Sequence, residues 1–169
     1  SGVEPNVISY SAAISACEKG GQWERALSLL EEMKASGVEP NVISYNAAIS
    51  ACEKGGQWER ALALLEEARG RGLEPNIITY NAAISACEKG GQWERALALL
   101  DEMAAAGVAP NTITYSAAIS ACEKGGQWER ALALLDEMAA AGVAPNTITY
   151  SAAISACEKG GQWERALQL

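Results

Sequence analysis

Apolar residues in this chain recur with the spacing of amphipathic helices. In residues 42–76, a first apolar stripe has the spacing i, i+3, i+4 and i+7 and consists of Tyr45, Ala48, Ile49 and Cys52. A second stripe with the same spacing consists of Trp58, Ala61, Leu62 and Leu65. The two stripes predict helix A, from about Val42 to Lys54, and helix B, from about Gln57 to Ala68.

The residues around the stripes predict where the helices end. Gly55-Gly56 separates helix A from helix B, and Gly72 is a helix-ending signal. Pro75 then stops the chain from continuing as a helix, and Asn76 precedes the next helix A as a good N-cap residue. The segment therefore predicts a helical hairpin.

The same hairpin pattern returns along the chain with a period of 35 residues. The block AAISACEKGGQWERAL occurs five times without change, at residues 12–27, 47–62, 82–97, 117–132 and 152–167. A strict period of this length is typical of solenoids, in which each unit buries its apolar face against its neighbours. We therefore expect an all-α fold of about ten helices with no strands.

Composition and charge argue against several classes of function. The chain has 13 basic and 21 acidic residues and a net charge of −8, which disfavours non-specific binding to duplex DNA or to a membrane surface. No apolar run approaches about 18 residues, so we expect no membrane span. His is absent, which removes the commonest general base and metal ligand near neutral pH. We expect no enzyme activity, no metal and no cofactor.

The cysteines share one position of the repeat, at Cys17, Cys52, Cys87, Cys122 and Cys157. Equivalent residues of stacked helices lie roughly 8–10 Å apart. A disulfide requires Cα atoms within about 7 Å, and zinc requires ligands that converge on one point. We therefore interpret this position as a small buried residue.

One polar position varies inside an otherwise constant frame. It lies between an invariant Tyr and an invariant Ala-Ala and is occupied by Ser11, Asn46, Asn81, Ser116 and Ser151. Alternation between Ser and Asn is typical of selection among ligands, since both side chains donate and accept hydrogen bonds. Neutral drift between two small polar residues at a solvated site explains the composition equally well.

The repeat resembles the pentatricopeptide repeat (PPR) family. The resemblance lies in the 35-residue length, the Y-[NS]-x-x-I opening, the Lys-Gly-Gly-x-Trp centre and the G-x-x-P-[ND] ending. It covers one array over residues 1–169, with units at 7–41, 42–76, 77–111, 112–146 and a partial 147–169. The resemblance implies a right-handed α-solenoid superhelix of stacked antiparallel helical hairpins. A natural fragment and a designed, consensus-like array both fit the near-identical units.

The resemblance implies sequence-specific binding of single-stranded RNA, with about one base per unit. The fifth residue of each unit, at the variable position, would meet the Watson–Crick edge of a base. It would be aided by the last residue of the unit, which is Asn41, Asn76, Asn111 or Asn146. The second residue would clamp the base from the sides and is Ile8, Ile43, Ile78, Ile113 or Ile148. Each of these last Asn residues is also a helix N-cap, and the two roles can coexist.

A lysine near the end of each helix A would contact phosphate, by the same resemblance. These residues are Lys19, Lys54, Lys89, Lys124 and Lys159. The alternative is a purely structural role, because a cation at the C-terminus of a helix interacts favourably with the helix macrodipole.

The recognition code of the family pairs Ser+Asn with adenine and Asn+Asn with a pyrimidine. The four complete pairs then spell 5′-A-Y-Y-A-3′, with ACCA as the best guess, and Ser151 favours a purine next. Many transfer RNAs end in ACCA, so the tRNA 3′ end is a target hypothesis. The family also suggests a mitochondrion or plastid, although the chain carries no targeting segment. A protein-binding scaffold is the alternative function, and exposed repeat ends predict head-to-tail self-association.

Overall fold

The computed structural model describes residues 6–169, and these residues form ten α-helices without any strand. The helices are α1 Val7–Lys19, α2 Trp23–Ala35, α3 Val42–Lys54, α4 Trp58–Gly70, α5 Ile77–Lys89, α6 Trp93–Ala105, α7 Thr112–Lys124, α8 Trp128–Ala140, α9 Thr147–Lys159 and α10 Trp163–Leu167. The first five residues of the predicted array lie outside the described part. No helix in the described range is long and apolar enough to cross a membrane.

The helices follow the predicted hairpins, and the all-α prediction is confirmed. The predicted helix A of residues 42–54 coincides with α3, whereas α4 continues two residues beyond the predicted end of helix B at Ala68. The reason is that the left-handed residue that ends this helix is Gly72, with φ +80°. The backbone therefore keeps its helical conformation through Arg69 and Gly70.

The chain has two compact parts, residues 1–86 and residues 87–169, and each is described by itself. In the first part, α1 packs against α2 and α3, and α3 also packs against α2 and α4. In the second part, α7 packs against α6, α8 and α9, while α9 also contacts α8 and α10. Within each part, helix A of one repeat therefore stacks on helix A of the next, with helix B packed alongside.

An asparagine cap fixes the start of each helix A. Asn41, in extended conformation, accepts a hydrogen bond from the backbone N–H of Ser44 at 2.9 Å, and the Ser44 hydroxyl accepts one from the Asn41 N–H at 2.9 Å. This reciprocal capping box satisfies two backbone donors that would otherwise lack partners. Thr114 and Thr149 play the same part at the starts of α7 and α9.

The Gly-Gly pair between helices A and B has two separate functions. Gly56 adopts φ +71°, which lets the next residue, Gln57, donate its N–H to the Cys52 carbonyl at 2.8 Å and so closes helix A. Gly55 has an ordinary φ of −84°, but it leaves room for Trp23 of the preceding repeat. A Cβ atom on Gly55 would lie 2.3 Å from Cδ1 of that indole.

An arginine of the following repeat lies over the same indole ring. The guanidinium carbon of Arg60 lies 5.1 Å from the ring centroid of Trp23, which is cation–π distance. The same arrangement recurs at Trp93 with Gly125 and Arg130, and at Trp128 with Gly160 and Arg165. Each of these tryptophans therefore joins its own repeat to the next one.

The cysteines are free thiols, and all except the half-buried Cys17 are buried. Burial raises the pKa of Cys52, Cys87 and Cys122 to about 11, so these thiols stay protonated at neutral pH. The prediction of a small buried residue at this position is confirmed for the four buried cysteines.

The Trp–Gly contact predicts that Gly125→Ala is destabilising, because the new methyl group would overlap the Trp93 indole, whose Cδ1 lies 2.2 Å from the Cβ position. We expect a loss of about 1–3 kcal/mol, seen as a lower melting temperature in calorimetry. Gly20→Ala is the matched control, since the nearest atom to its Cβ position is the Ala16 carbonyl oxygen at 3.4 Å. Equal effects of the two substitutions would contradict this account.

Candidate functional site

In each repeat, one apolar side chain near the start of helix A is exposed to solvent. These residues are 58–75% exposed and are Ile8, Ile43, Ile78, Ile113 and Ile148. They sit at the second position of each repeat, where the resemblance places the base clamps. Within each compact part, the exposed aliphatic side chains at this position form an apolar contact surface, which is typical of a binding face.

A pocket of about 290 Å³ in the first compact part contains several of the predicted site residues. Its lining includes Lys19 and the two clamp residues Ile43 and Ile78. It also includes the fifth and last residues of the second repeat, Asn46 and Asn76, and we call such a pair the code residues of a repeat. The volume is close to the lower limit of about 300 Å³ for small-molecule pockets. The structure thus brings together residues that are up to 59 positions apart, from Lys19 to Ile78, in three successive repeats.

The two code residues of the second repeat are hydrogen-bonded to each other. Asn46 donates from Nδ2 to Oδ1 of Asn76 at 3.1 Å, and Thr79 donates from Oγ1 to Oδ1 of Asn46 at 2.5 Å. Asn46 is only 8% exposed, so its amide lies at the floor of the pocket rather than in open solvent. These bonds hold the amide of Asn46 in one orientation.

The last residue of the repeat caps a helix and keeps a donor for a ligand. Oδ1 of Asn76 accepts from the backbone N–H of Thr79 at 3.1 Å, and this N–H can only donate, so the Asn76 amide has one orientation. Nδ2 of Asn76 has no partner among residues 6–169. Capping and base reading can therefore use opposite ends of the same amide.

The other code positions differ in their exposure. Ser11 and Ser116 are buried like Asn46, whereas Asn81 is half-buried and Ser151 is exposed. Ser116 reaches its partner Asn146 through the Thr149 hydroxyl, with distances of 2.7 Å from Ser116 Oγ and 2.9 Å to Asn146 Oδ1. Among the last residues, Asn41 and Asn111 are half-buried, and Asn146 is exposed like Asn76. The base-reading role of all these residues stays a prediction.

Among the predicted phosphate-binding lysines, Lys54, Lys124 and Lys159 form ion pairs with a glutamate of the preceding repeat. Lys54 lies 2.9 Å from Glu18, Lys124 lies 3.0 Å from Glu88, and Lys159 lies 2.5 Å from Glu123. The lysine side chains in these pairs stay 46–57% exposed, whereas the carboxylates are only 13–18% exposed, so the ammonium groups still face solvent. The phosphate role stays a prediction, and sequence reasoning did not identify the carboxylates.

Glu123 shows how strongly one of these carboxylates is held. Burial alone would raise its pKa, but the hydrogen bonds from the Lys159 ammonium and the Ser155 hydroxyl outweigh burial and lower the pKa below its usual value. Glu123 is therefore ionised at neutral pH and offsets the charge of Lys159. No group of His, Cys, Asp and Glu within residues 6–169 is arranged to hold a metal ion.

A comparison with models of protein families identifies the family of this chain. The model of the PPR repeat family matches residues 5–54, 40–89, 75–124 and 117–159. The chain belongs to the PPR repeat family. A comparison with curated protein sequences gives no significant match.

Solved structures of other PPR proteins have the same fold. The chain is 34% identical to the pentatricopeptide repeat protein PPR10 from maize, with a TM-score of 0.75 over 99% of this chain and 24% of that one. PPR10 in complex with an 18-nt psaJ RNA element gives 32% identity and a TM-score of 0.82, with the same coverage. The PPR domain of Arabidopsis thaliana protein-only RNase P 1 in complex with tRNA gives 20% identity and a TM-score of 0.80, covering 93% of this chain and 84% of that domain. The chain thus spans about a quarter of the length of PPR10.

Sequence reasoning missed the third residue of the repeat, which contacts the fifth residue of the preceding repeat. Thr79 bonds to Asn46, and Thr149 bonds to Ser116. The signal was present in the sequence, because this position alternates between Ser and Thr close to the variable fifth position. Its significance depends on a contact between repeats, which periodicity alone does not show.

The capping geometry predicts different effects for two substitutions of Asn146. Asn146→Ala removes the side chain that accepts from the Thr149 N–H at 3.0 Å, and we expect a loss of about 1 kcal/mol in the free energy of unfolding. Asn146→Asp keeps an acceptor at the same place and is expected to preserve stability. Urea unfolding followed by circular dichroism measures both. Equal stability of the Ala variant and the parent would show that the cap contributes nothing.

Proposed function

We propose that this PPR chain binds single-stranded RNA sequence-specifically, with one base per repeat and 5′-A-Y-Y-A-3′ as the preferred sequence. The observation that carries the proposal is the pocket in which Asn46 and Asn76 lie between the exposed side chains of Ile43 and Ile78. An apolar clamp beside paired amides suits a flat base with a polar edge. The similarity to PPR10, solved with an RNA element at 32% identity, supports the same ligand class.

The chemistry of the code pairs supports the two kinds of base. Asn46 has a long side chain and keeps one N–H and one lone pair beyond its bonds to Asn76 and Thr79, so it can pair with the polar edge of a pyrimidine. Ser116 is shorter and leaves more room, which suits the larger adenine. We infer that cytosine at the two middle positions gives ACCA as the best target.

Electrostatics contributes less to this proposed binding than in most RNA-binding proteins. The net charge is −8, and the ammonium groups of Lys54, Lys124 and Lys159 are already paired with carboxylates. Binding through phosphates alone needs unpaired positive charge. We therefore propose that base contacts, rather than phosphate contacts, supply the specificity and much of the affinity.

Several finer points belong to the same proposal. The ACCA sequence makes the 3′ end of a tRNA a candidate target, and family membership makes a mitochondrion or plastid the candidate location. The proposal assigns no catalytic step to the chain. It also includes head-to-tail association of molecules, because repeats of near-identical sequence present complementary faces.

The proposal predicts that a fluorescent RNA containing ACCA binds more tightly than RNAs containing AGGA or UCCU. Each wrong base should lower affinity by about 1–3 kcal/mol, so two mismatches should weaken binding at least about thirtyfold in fluorescence anisotropy. The matching DNA should bind less tightly, since it lacks the 2′-hydroxyl groups.

A tRNA with and without its CCA end tests the candidate target in the same assay. Equal binding of the two tRNAs would remove the tRNA hypothesis alone. Equal or absent binding of all three RNA sequences would contradict the proposed function and leave a protein-binding scaffold as the function to pursue.

A further inference from the structure

The third residue of a repeat lies beneath the code residue of the repeat before it. In the four repeats that follow another repeat, this side chain is at most 1% exposed, and the residues are Ser44, Thr79, Thr114 and Thr149. Thr79 donates to Oδ1 of Asn46 at 2.5 Å, and the Thr149 hydroxyl lies 2.7 Å from Oγ of Ser116. Such buried residues have no surface for a base to contact, so any effect on recognition acts through their neighbour.

The junction of the first two repeats lacks this contact. Ser44 turns its hydroxyl to its own helix start and donates to the carbonyl oxygen of Asn41 at 2.8 Å. Oγ of Ser11 is then buried without any hydrogen-bond partner in the described range. Thr79 and Thr149 also bond to the caps of their own helices. What distinguishes them from Ser44 is the additional contact to the fifth residue of the preceding repeat.

We propose that the third residue of each repeat positions the fifth residue of the preceding repeat and thereby sets how sharply that residue selects its base. A Thr at the third position holds the preceding code residue in one hydrogen-bonding orientation. A Ser at the third position makes no such contact, so the orientation of the code residue is not fixed. This inference rests on the proposed RNA-binding function and adds a residue that governs its specificity. A side chain whose orientation is fixed before binding selects better than one that can rotate.

The donor or acceptor role of a serine code residue follows from the number of hydroxyl hydrogens available in its hydrogen-bond chain. The Thr149 hydroxyl has one hydrogen, and Oδ1 of Asn146 accepts it at 2.9 Å. Ser116 then donates its own hydrogen to Thr149, so that Ser116, Thr149 and Asn146 form one chain of hydrogen bonds. The lone pairs of Ser116 remain for the base. Ser116 therefore acts as an acceptor, which suits the amino group of adenine and not the O6 acceptor of guanine.

Ser11 has no such constraint, although it belongs to the same type of code pair. Its Oγ is buried without a hydrogen-bond partner in the described range, so no protein contact fixes whether its hydroxyl donates or accepts. The structure thus predicts that the first and fourth bases are read with different selectivity, even though both are read by Ser with Asn. The selectivity at base 1 can therefore be compared with the selectivity at base 4 in the same chain.

The experiment uses the full chain with Ser44→Thr and Thr149→Ser, and measures affinities for ACCA, GCCA and ACCG RNAs by fluorescence anisotropy. In the parent chain, the preference for A over G should be at least about fivefold greater at base 4 than at base 1. Thr149→Ser should reduce the preference at base 4 to the level at base 1. Ser44→Thr should raise the preference at base 1 and leave base 4 unchanged.

We expect both variants to fold, because this position already forms a capping box when it is Ser, as Ser44 does with Asn41. Melting curves check this expectation. Unchanged A-over-G preferences in both variants, with the parent still selecting ACCA over AGGA, would overturn the positioning role and leave the proposed function intact. A parent chain that does not select ACCA would overturn both. A change in affinity for all three RNAs by the same factor would show a structural role only.

Discussion

The contact between a tryptophan of one repeat and a glycine of the next sets the geometry on which the binding face depends. Trp23 fits against Gly55 because Gly55 has no Cβ, and Arg60 lies over the indole ring at cation–π distance. The contact recurs twice in the second compact part with the same residue types. Since a methyl group would already be too large, neighbouring repeats have little freedom to shift. The spacing between successive clamp residues, such as Ile8 and Ile43 in the two repeats joined by Trp23 and Gly55, follows from this contact.

The start of helix A couples the fold to the proposed chemistry. Asn76 caps α5 with its Oδ1 and leaves Nδ2 for a ligand, while Thr79 joins the cap to Asn46. A residue that holds a helix end in place has little rotational freedom left, and a rigid donor selects its partner more sharply than a mobile one. Stability and the proposed specificity therefore depend on the same few side chains. The lysines add a second link between repeats, because Lys54 pairs with Glu18 of the preceding repeat.

Much of the fold follows from local patterns, whereas the polar contacts of the site do not. The stripe ending at Cys52, the glycines after Lys54 and the cap Asn41 determine α3, because each acts within a few residues. The partner of Asn46 is Thr79, and the partner of Lys159 is Glu123, at separations of 33 and 36 residues. Such contacts depend on how repeats stack, which period and composition leave open. The Ser and Asn at the fifth position were visible in the sequence, but their burial and their links to the third position were not.

The central claim is that each repeat reads one base through its fifth residue, and a double-mutant cycle tests it most directly. Asn46→Ser gives the second repeat the Ser and Asn pair of the first and fourth repeats, and the RNA changes from ACCA to AACA. We predict a coupling free energy of about 1–3 kcal/mol between this substitution and base 2, with none between Asn46→Ser and changes at bases 1, 3 or 4. Zero coupling at base 2, or equal coupling at every base, would contradict the account.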